Sequence, residues 1–328
     1  MIDNESAPMK DRLGAHDRFS GLGMGLAPYV IMHVPKCAGL ALAQSLARAI
    51  GAGTVAQGFD RTLFGRFADF ASMSEEVRGK IHLHGLPPAR PGELIHGHYA
   101  LSSLVAAYPG AHLVTVMREP RCRLISHFLF WRGHSDSDMA GWGGWMDRMR
   151  LARGRLDDFL ENRSLAAQLD NLFTRFLLSP HPDIPEDSFI APRHHDRLHD
   201  QALAKLRHFG LVDVVENAAL ERNVARWLGR EFHMDAANVT SLCSDLPVDL
   251  FDQLTSRAVE RLQSHSAIDR RLWVHAARQA DAFPEPEVLA ESMFAAYLAR
   301  QTAKFASSAA PPRYGSPPSP MLGYAASL

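Results

Sequence analysis

Two short segments of this chain have the residue types to hold an anion, and a third could supply a base. Pro35-Lys36-Cys37-Ala38-Gly39-Leu40-Ala41 joins the apolar run Tyr29–Val34 to a stretch with helical periodicity, Leu40–Ile50. A loop between a buried strand and a helix start presents N–H groups that have no intrahelical acceptor, at the positive end of the helix dipole. Lys36 adds a full charge there, and Ala38 and Gly39 are small enough for the backbone to approach a phosphate. The segment is not a Walker A motif, which needs GxxxxGK[ST], and alone it also fits an ordinary surface turn. The second segment, Val116-Met117-Arg118-Glu119-Pro120, closes the run His112–Met117. An arginine at the C-terminal end of a strand faces the crevice where α/β proteins bind ligands, and its planar fork matches a phosphate. Ser126, further along the following helix, could add a hydroxyl; alternatively, Arg118 pairs with Glu119 and Ser126 is filler. The third segment is His96-Gly97-His98. An imidazole titrates near working pH and suits general-base work, and His96, on the same strand face as His98, could orient it. With seventeen histidines in the chain, a satisfied histidine at a strand end is the competing account of His98.

These residues need elements to position them. Tyr29–Val34, Leu94–His98 and His112–Met117 read as strands, and Phe209–Val214 as a late one. Leu40–Ile50, Ser102–Ala107 and the stretch from Pro120 through Leu124, Phe128 and Trp131 read as helices, Pro120 standing at the start of the last. Strand, tight loop, helix therefore occurs twice, which is the pattern of an α/β fold. Gly133–Trp145, rich in Gly, Ser, Asp and Trp, reads as a loop whose Trp142 and Trp145 either contact a ligand or fold back on the core. From Leu156 the chain reads as helical: Leu156–Asn162, Leu165–Leu178, His199–Leu206, Asn217–Leu228, Pro247–Gln263, Ile268–Phe283 and Pro286–Phe305. The expectation is a P-loop-like parallel sheet flanked by helices, with a mainly helical C-terminal half. It forms one domain over residues 28–305, after a loose leader (1–27) and before a Ser/Ala/Pro-rich disordered tail (306–328).

Composition limits the partners. The net charge is −1, so no global basic field recruits nucleic acid or a membrane surface, and an anion must be held by local arrangement. The three cysteines, Cys37, Cys122 and Cys243, form neither a disulfide framework nor a zinc spacing and fit a reducing compartment. No apolar run approaches the ~18 residues of a membrane span, and Met1–Ser20 has none of the features of a signal peptide. The chain reads as cytoplasmic.

Strand-Pro-Lys-x-x-Gly-helix followed by strand-Arg-[Asp/Glu]-Pro-x-x-Arg-x-x-Ser-helix resembles the sulfotransferases that use 3'-phosphoadenosine-5'-phosphosulfate (PAPS). The matching residues are Lys36 and Gly39, then Arg118, Pro120, Arg123 and Ser126. The resemblance implies that the first loop grips the 5'-phosphosulfate, and that Arg118 and Ser126 grip the 3'-phosphate. Adenosine 3',5'-bisphosphate would be the product, and no metal would be needed. His96-Gly97-His98 resembles the His-Gly-His segment of heparan sulfate 2-O-sulfotransferases, which implies His98 as base and a carbohydrate acceptor. Asp170–Leu177, Phe209–Val212 with Glu216, and Asp269–Trp273 resemble segments of bacterial relatives, so the resemblance runs from about residue 29 to about residue 280. The family often has Thr or Ser where Leu40 stands, which leaves the 5'-phosphate to backbone N–H groups. Arg175 and Trp142 are candidate acceptor contacts, Arg175 being as well explained by a structural ion pair. Arg193 is a further candidate anion contact. His194, His195, Asp196 and His199 form a cluster that could take a metal but reads better as a solvated loop. The expected reaction is sulfuryl transfer to the hydroxyl of a glycan, glycolipid or small molecule by a bacterial enzyme. A P-loop-type kinase and a non-catalytic glycan- or partner-binding protein on the same scaffold are the alternatives.

Overall fold

The computed structural model describes residues 27–90, 92–234 and 250–308. Its centre is a six-stranded sheet in the order β3-β2-β4-β1-β5-β6. The strands are β1 (Tyr29–Met32), β2 (Thr54–Asp60), β3 (Ile81–His82), β4 (Glu93–His98), β5 (His112–Met117) and β6 (Leu211–Val214), and every pairing is parallel. An all-parallel sheet is covered on both faces, so its central strands carry near-continuous apolar runs. This is why β1 and β5 are legible in the sequence. β2 is not: its first half is exposed or half-buried, and Gly58 interrupts it.

The helices that cover the sheet and the crevice are α1 (Gly39–Ile50), α2 (Leu101–Ala107), α3 (Pro120–Arg132), α4 (Leu172–Leu178), α5 (His195–Lys205), α6 (Leu220–Leu228), α7 (Ser256–Ser264), α8 (Ala267–Gln279) and α9 (Pro286–Ser308), with shorter turns between them. Leu42 and Leu46 of α1 and Leu220 and Val224 of α6 pack on Ile31, Leu94, Val114 and Val116, which closes one face. α3 runs through the larger core on the other side and is buried along nearly its whole length. It begins at Pro120, and the Glu119 carboxylate accepts the Cys122 N–H at 2.8 Å, so the helix start is fixed beside Arg118.

The helical C-terminal half is present with altered boundaries. The stretch 165–178 is two helical pieces, because Asn171 takes a left-handed conformation (φ 45°). Its side-chain oxygen accepts the N–H groups of Ile268 and Asp269 at 2.8 and 3.2 Å, starting α8. The stretch 250–263 breaks at Thr255, whose hydroxyl caps α7; residues 247–249 lie outside the described residues. Gly133–Trp145, read as a loop, contains a short helix, Asp136–Met139, and a 3-10 turn, Ala140–Trp142. The leader up to residue 26 and the tail from 309 lie outside the described residues, as does Cys243. Among the described residues, no helix is long and apolar enough to cross a membrane.

Three of the sequence segments beyond the anion loops converge on the scaffold around α3 and α8. Glu216 accepts the Glu119 N–H at 2.9 Å and the Trp273 indole N–H at 3.2 Å. The Asp269 carboxylate accepts the N–H groups of Phe173 and Thr174, both at 2.9 Å, and the Thr174 hydroxyl at 2.7 Å. Glu216 thus ties α8 to the start of α3, and Asp269 ties α8 to α4.

Candidate active site

In a parallel sheet neighbouring strand ends lie about 5 Å apart, so the C-terminal ends of β4, β1 and β5 bring three segments together. The middle one is the loop after β1. Lys36 (φ 70°) and Ala38 (φ 57°) both adopt left-handed backbone at non-glycine positions, a costly conformation that collects at functional sites. Ala38 is the N-cap of α1 and caps it with no side chain. The Gly39 N–H donates to His33 Nε2 at 3.2 Å. The N–H groups of Leu40 and Ala41, next in the first turn, have no acceptor within the helix. Gly39 is obligatory: a Cβ there would lie 2.0 to 2.3 Å from three atoms of the His33 ring.

The Lys36 ammonium stands 3.5 Å from the centroid of the Phe130 ring on α3. Burial, and after it repulsion from Arg118, pulls the Lys36 pKa down to about 7. The amine is thus poised to gain charge when an anion arrives. Arg118, at the end of β5, donates to the Ser126 hydroxyl at 3.3 Å. The sequence left open whether Arg118 pairs with Glu119. It does not: Glu119 turns inward, where its carboxylate takes the Arg121 Nε–H at 2.7 Å.

His98 and His96 are both buried at the end of β4. The His98 ring lies 2.6 Å, through Nδ1, from the His33 carbonyl. A carbonyl only accepts, so Nδ1 carries the proton and Nε2 holds the lone pair. Burial is the main reason the His98 pKa is pulled down to about 3, with repulsion from His96 and Lys36 adding to it. His98 is therefore neutral, but held at this value it is a weaker base than the imidazole titrating near working pH that the sequence led us to expect. His33 stacks on His96 at 4.7 Å and lies tilted against His98 at 4.5 Å by ring centroids. Burial pulls the His96 pKa down to about 4. His96, Gly97 and His98 line a cavity of about 10 Å³ with Gln57, Gly58, Phe59 and Lys80, roughly the room for one water.

Other sequence candidates belong to the scaffold. Arg175 pairs with Asp170 at 2.8 Å and donates to the carbonyls of Asp170, Pro185 and Ser188. Its guanidinium is buried and four of its five N–H groups are spent within the scaffold, so it is not presented to an acceptor. Trp142 is buried edge-on to Phe59 at 5.8 Å, and Trp145 sits edge-on to Phe64 at 5.0 Å, so both indoles fold back on the core. The Cys37 thiol points into the core, burial pushes its pKa up to about 11, and its N–H is spent on the Val34 carbonyl. Cys37 therefore shapes the loop rather than donating from it. Asp196 pairs with Arg271, and His199 lies within hydrogen-bond reach of Arg271 and Asp200. Among the described residues no three His, Cys, Asp or Glu side chains are grouped to hold a metal.

His33 and Phe130 are the site residues that sequence reasoning missed. The signal for His33 was a polar residue at the end of an otherwise apolar strand, three positions before Lys36. Comparison with protein-family models and with curated proteins finds no match to this chain.

Proposed function

We propose that this protein transfers a sulfuryl group from PAPS to a hydroxyl, with a carbohydrate as the acceptor class. The observation that carries the reading is the arrangement of three strand ends. The Lys36 loop lies at the centre, Arg118 with Ser126 at one neighbouring strand, and the neutral His98 at the other. Two separated cationic sites match the 5' and 3' ends of one nucleotide, and a base stands across the loop from the second. In this reading the acceptor oxygen attacks sulfur while its proton passes to His98 Nε2. The bond from sulfur to the 5'-phosphate oxygen breaks. Lys36 and the first-turn N–H groups of α1 balance the charge that grows on that leaving oxygen.

The kinase alternative is less well supported. The loop has no Ser or Thr following Lys36, since Leu40 stands in the first turn of α1 and its half-buried side chain has nothing to offer a metal-bound phosphate. The test has two arms. Calorimetry should show adenosine 3',5'-bisphosphate binding in preference to ATP, and a preference for ATP overturns the donor assignment. Radiolabelled sulfate should then pass from PAPS to members of a glycan panel. Tight bisphosphate binding without transfer to any hydroxyl acceptor would leave a binding protein rather than an enzyme.

A further inference from the structure

A groove of about 810 Å³ lies between α8, α5 and the start of α9, a volume usual for a ligand site. None of Lys36, His98, Arg118 or Ser126 lines it, so it is not part of the crevice described above. Ser266 stands at its edge as the N-cap of α8. The residue is 1% exposed, and its hydroxyl has no partner among the described residues. A serine in this position ordinarily caps its helix. Here the Asn171 side chain takes the Ile268 and Asp269 N–H groups, so Ser266 makes no cap bond and its hydroxyl is left over. Buried hydroxyls without a partner are rare, and one that lines a groove points to a ligand.

The charges around it limit what that ligand is. Arg270, Arg271 and Arg278 line the groove from α8, and each already holds a carboxylate: Glu291 at 2.7 Å, Asp196 at 2.7 Å and Glu287. Arg121, which also lines it, is spent on Glu119 and Glu291. The charge is balanced, so an incoming anion has to evict a carboxylate and an incoming cation an arginine. A hydroxyl evicts neither. It donates to a carboxylate and accepts from a guanidinium at once, and solvent-facing pairs keep N–H groups and lone pairs to spare. Leu203, Ala267 and Val274 stand among the pairs and offer apolar surface to C–H faces. Among the described residues the only rings on the lining are the imidazoles of His199 and His275, so a nucleobase finds little to stack on. Burial lowers the His275 pKa, so that ring adds no charge at neutral pH.

We propose that this groove binds an uncharged carbohydrate chain, with one of its hydroxyls on Ser266 and others between the arginine–carboxylate pairs. The lining runs from Ser266 to Arg278, about 18 Å of helix, which is the span of several sugar rings rather than one. The groove is a second site, and it holds its ligand whether or not a nucleotide occupies the crevice.

The experiment titrates the full chain by calorimetry with unsulfated, uncharged tetrasaccharides built from glucose, galactose, mannose, fucose and N-acetylhexosamines. At least one should bind. Ser266→Ala removes only the unpartnered hydroxyl, so it should weaken that tetrasaccharide about fivefold or more and leave the Tm unchanged. Arg271→Ala, on the exposed rim, should weaken it to a similar degree. Arg118→Ala, or saturation with adenosine 3',5'-bisphosphate, should leave it within about twofold, because both act at a separate site. The proposal is overturned if no member of the panel binds, or if binding survives both groove variants intact. It is also overturned if a sulfated tetrasaccharide binds more tightly than its uncharged counterpart, which would make the groove an anion site. A protein that binds a tetrasaccharide through Ser266 and Arg271 but ignores the bisphosphate keeps the groove and loses the donor reading, so the two failures are told apart.

Discussion

The carbonyl of His33 holds His98 Nδ1 at 2.6 Å, and the ring of the same His33 accepts the Gly39 amide at 3.2 Å. One residue thus fixes both the candidate base and the start of the anion loop. The His98 ring is oriented by a backbone oxygen rather than by a carboxylate, so its tautomer is set without adding negative charge beside the proposed anion site.

Replacing His98 by Ala should therefore lower turnover by about 10²–10⁴ and spare bisphosphate affinity. The measurement is steady-state sulfuryl transfer beside calorimetry on the same preparation. Turnover close to wild type rules out His98 as the base. Replacing Arg118 by Ala should do the reverse, weakening the bisphosphate first; unchanged affinity would remove Arg118 from the 3' site.

Gly39→Ala tests the coupling through His33. The added Cβ would fall 2.0 Å from the His33 ring, which is itself packed against His96 and His98. Overpacking of this kind costs about 1–3 kcal/mol. The expected outcome is a lowered Tm together with a loss of turnover larger than the loss of nucleotide affinity, because the displaced ring carries His98 with it. A variant with wild-type Tm and turnover would show that the loop and the histidines are independent.

Much of this arrangement was legible before any coordinates. The fold class follows from apolar runs that end in turn residues, because strands buried on both faces must be apolar throughout. That Lys36 and Arg118 stand at neighbouring strand ends follows from their places at the ends of such runs. What the sequence could not show is which polar residues are spent elsewhere. Arg175 and Arg118 look alike as residues, yet Arg175 is closed off by Asp170 and three carbonyls while the Arg118 guanidinium donates to the Ser126 hydroxyl. Trp142 sat in a stretch with loop composition but is buried against Phe59, because a short helix and a 3-10 turn carry it inward. β2 was hidden because only its second half is buried, and His33 because its partners are a backbone carbonyl and a backbone amide far apart in sequence.

In the proposed reading, Lys36 makes nucleotide binding depend on pH. Its pKa, pulled down to about 7 by burial and by Arg118, leaves it charged below that pH and neutral above it. An anion binds the charged form, so bisphosphate affinity should fall as pH rises above about 7, by up to tenfold per pH unit, and binding near that pH should take up a proton. Calorimetry in buffers of different ionisation enthalpy reads the proton directly. Lys36→Met should bind more weakly and lose this pH dependence; an unchanged slope in that variant would assign the titration to another group.

The buried histidines make the fold acid-sensitive in a definite window. His96 and His98 are pulled down to about 4 and about 3, chiefly by burial, whereas an unfolded histidine titrates near 6.5. Between those values the unfolded chain binds protons that the folded chain refuses. Stability is therefore full above about pH 6.5 and is lost as pH falls through the window, at up to about 1.4 kcal/mol per pH unit for each histidine. The Tm should drop between pH 7 and pH 5 well before carboxylates begin to protonate. His96→Gln removes one such group and should flatten the slope, even if it lowers the Tm at pH 7. A flat Tm for the wild type across this range would mean that the imidazoles at the end of β4 take up protons in the folded protein as readily as in the unfolded chain.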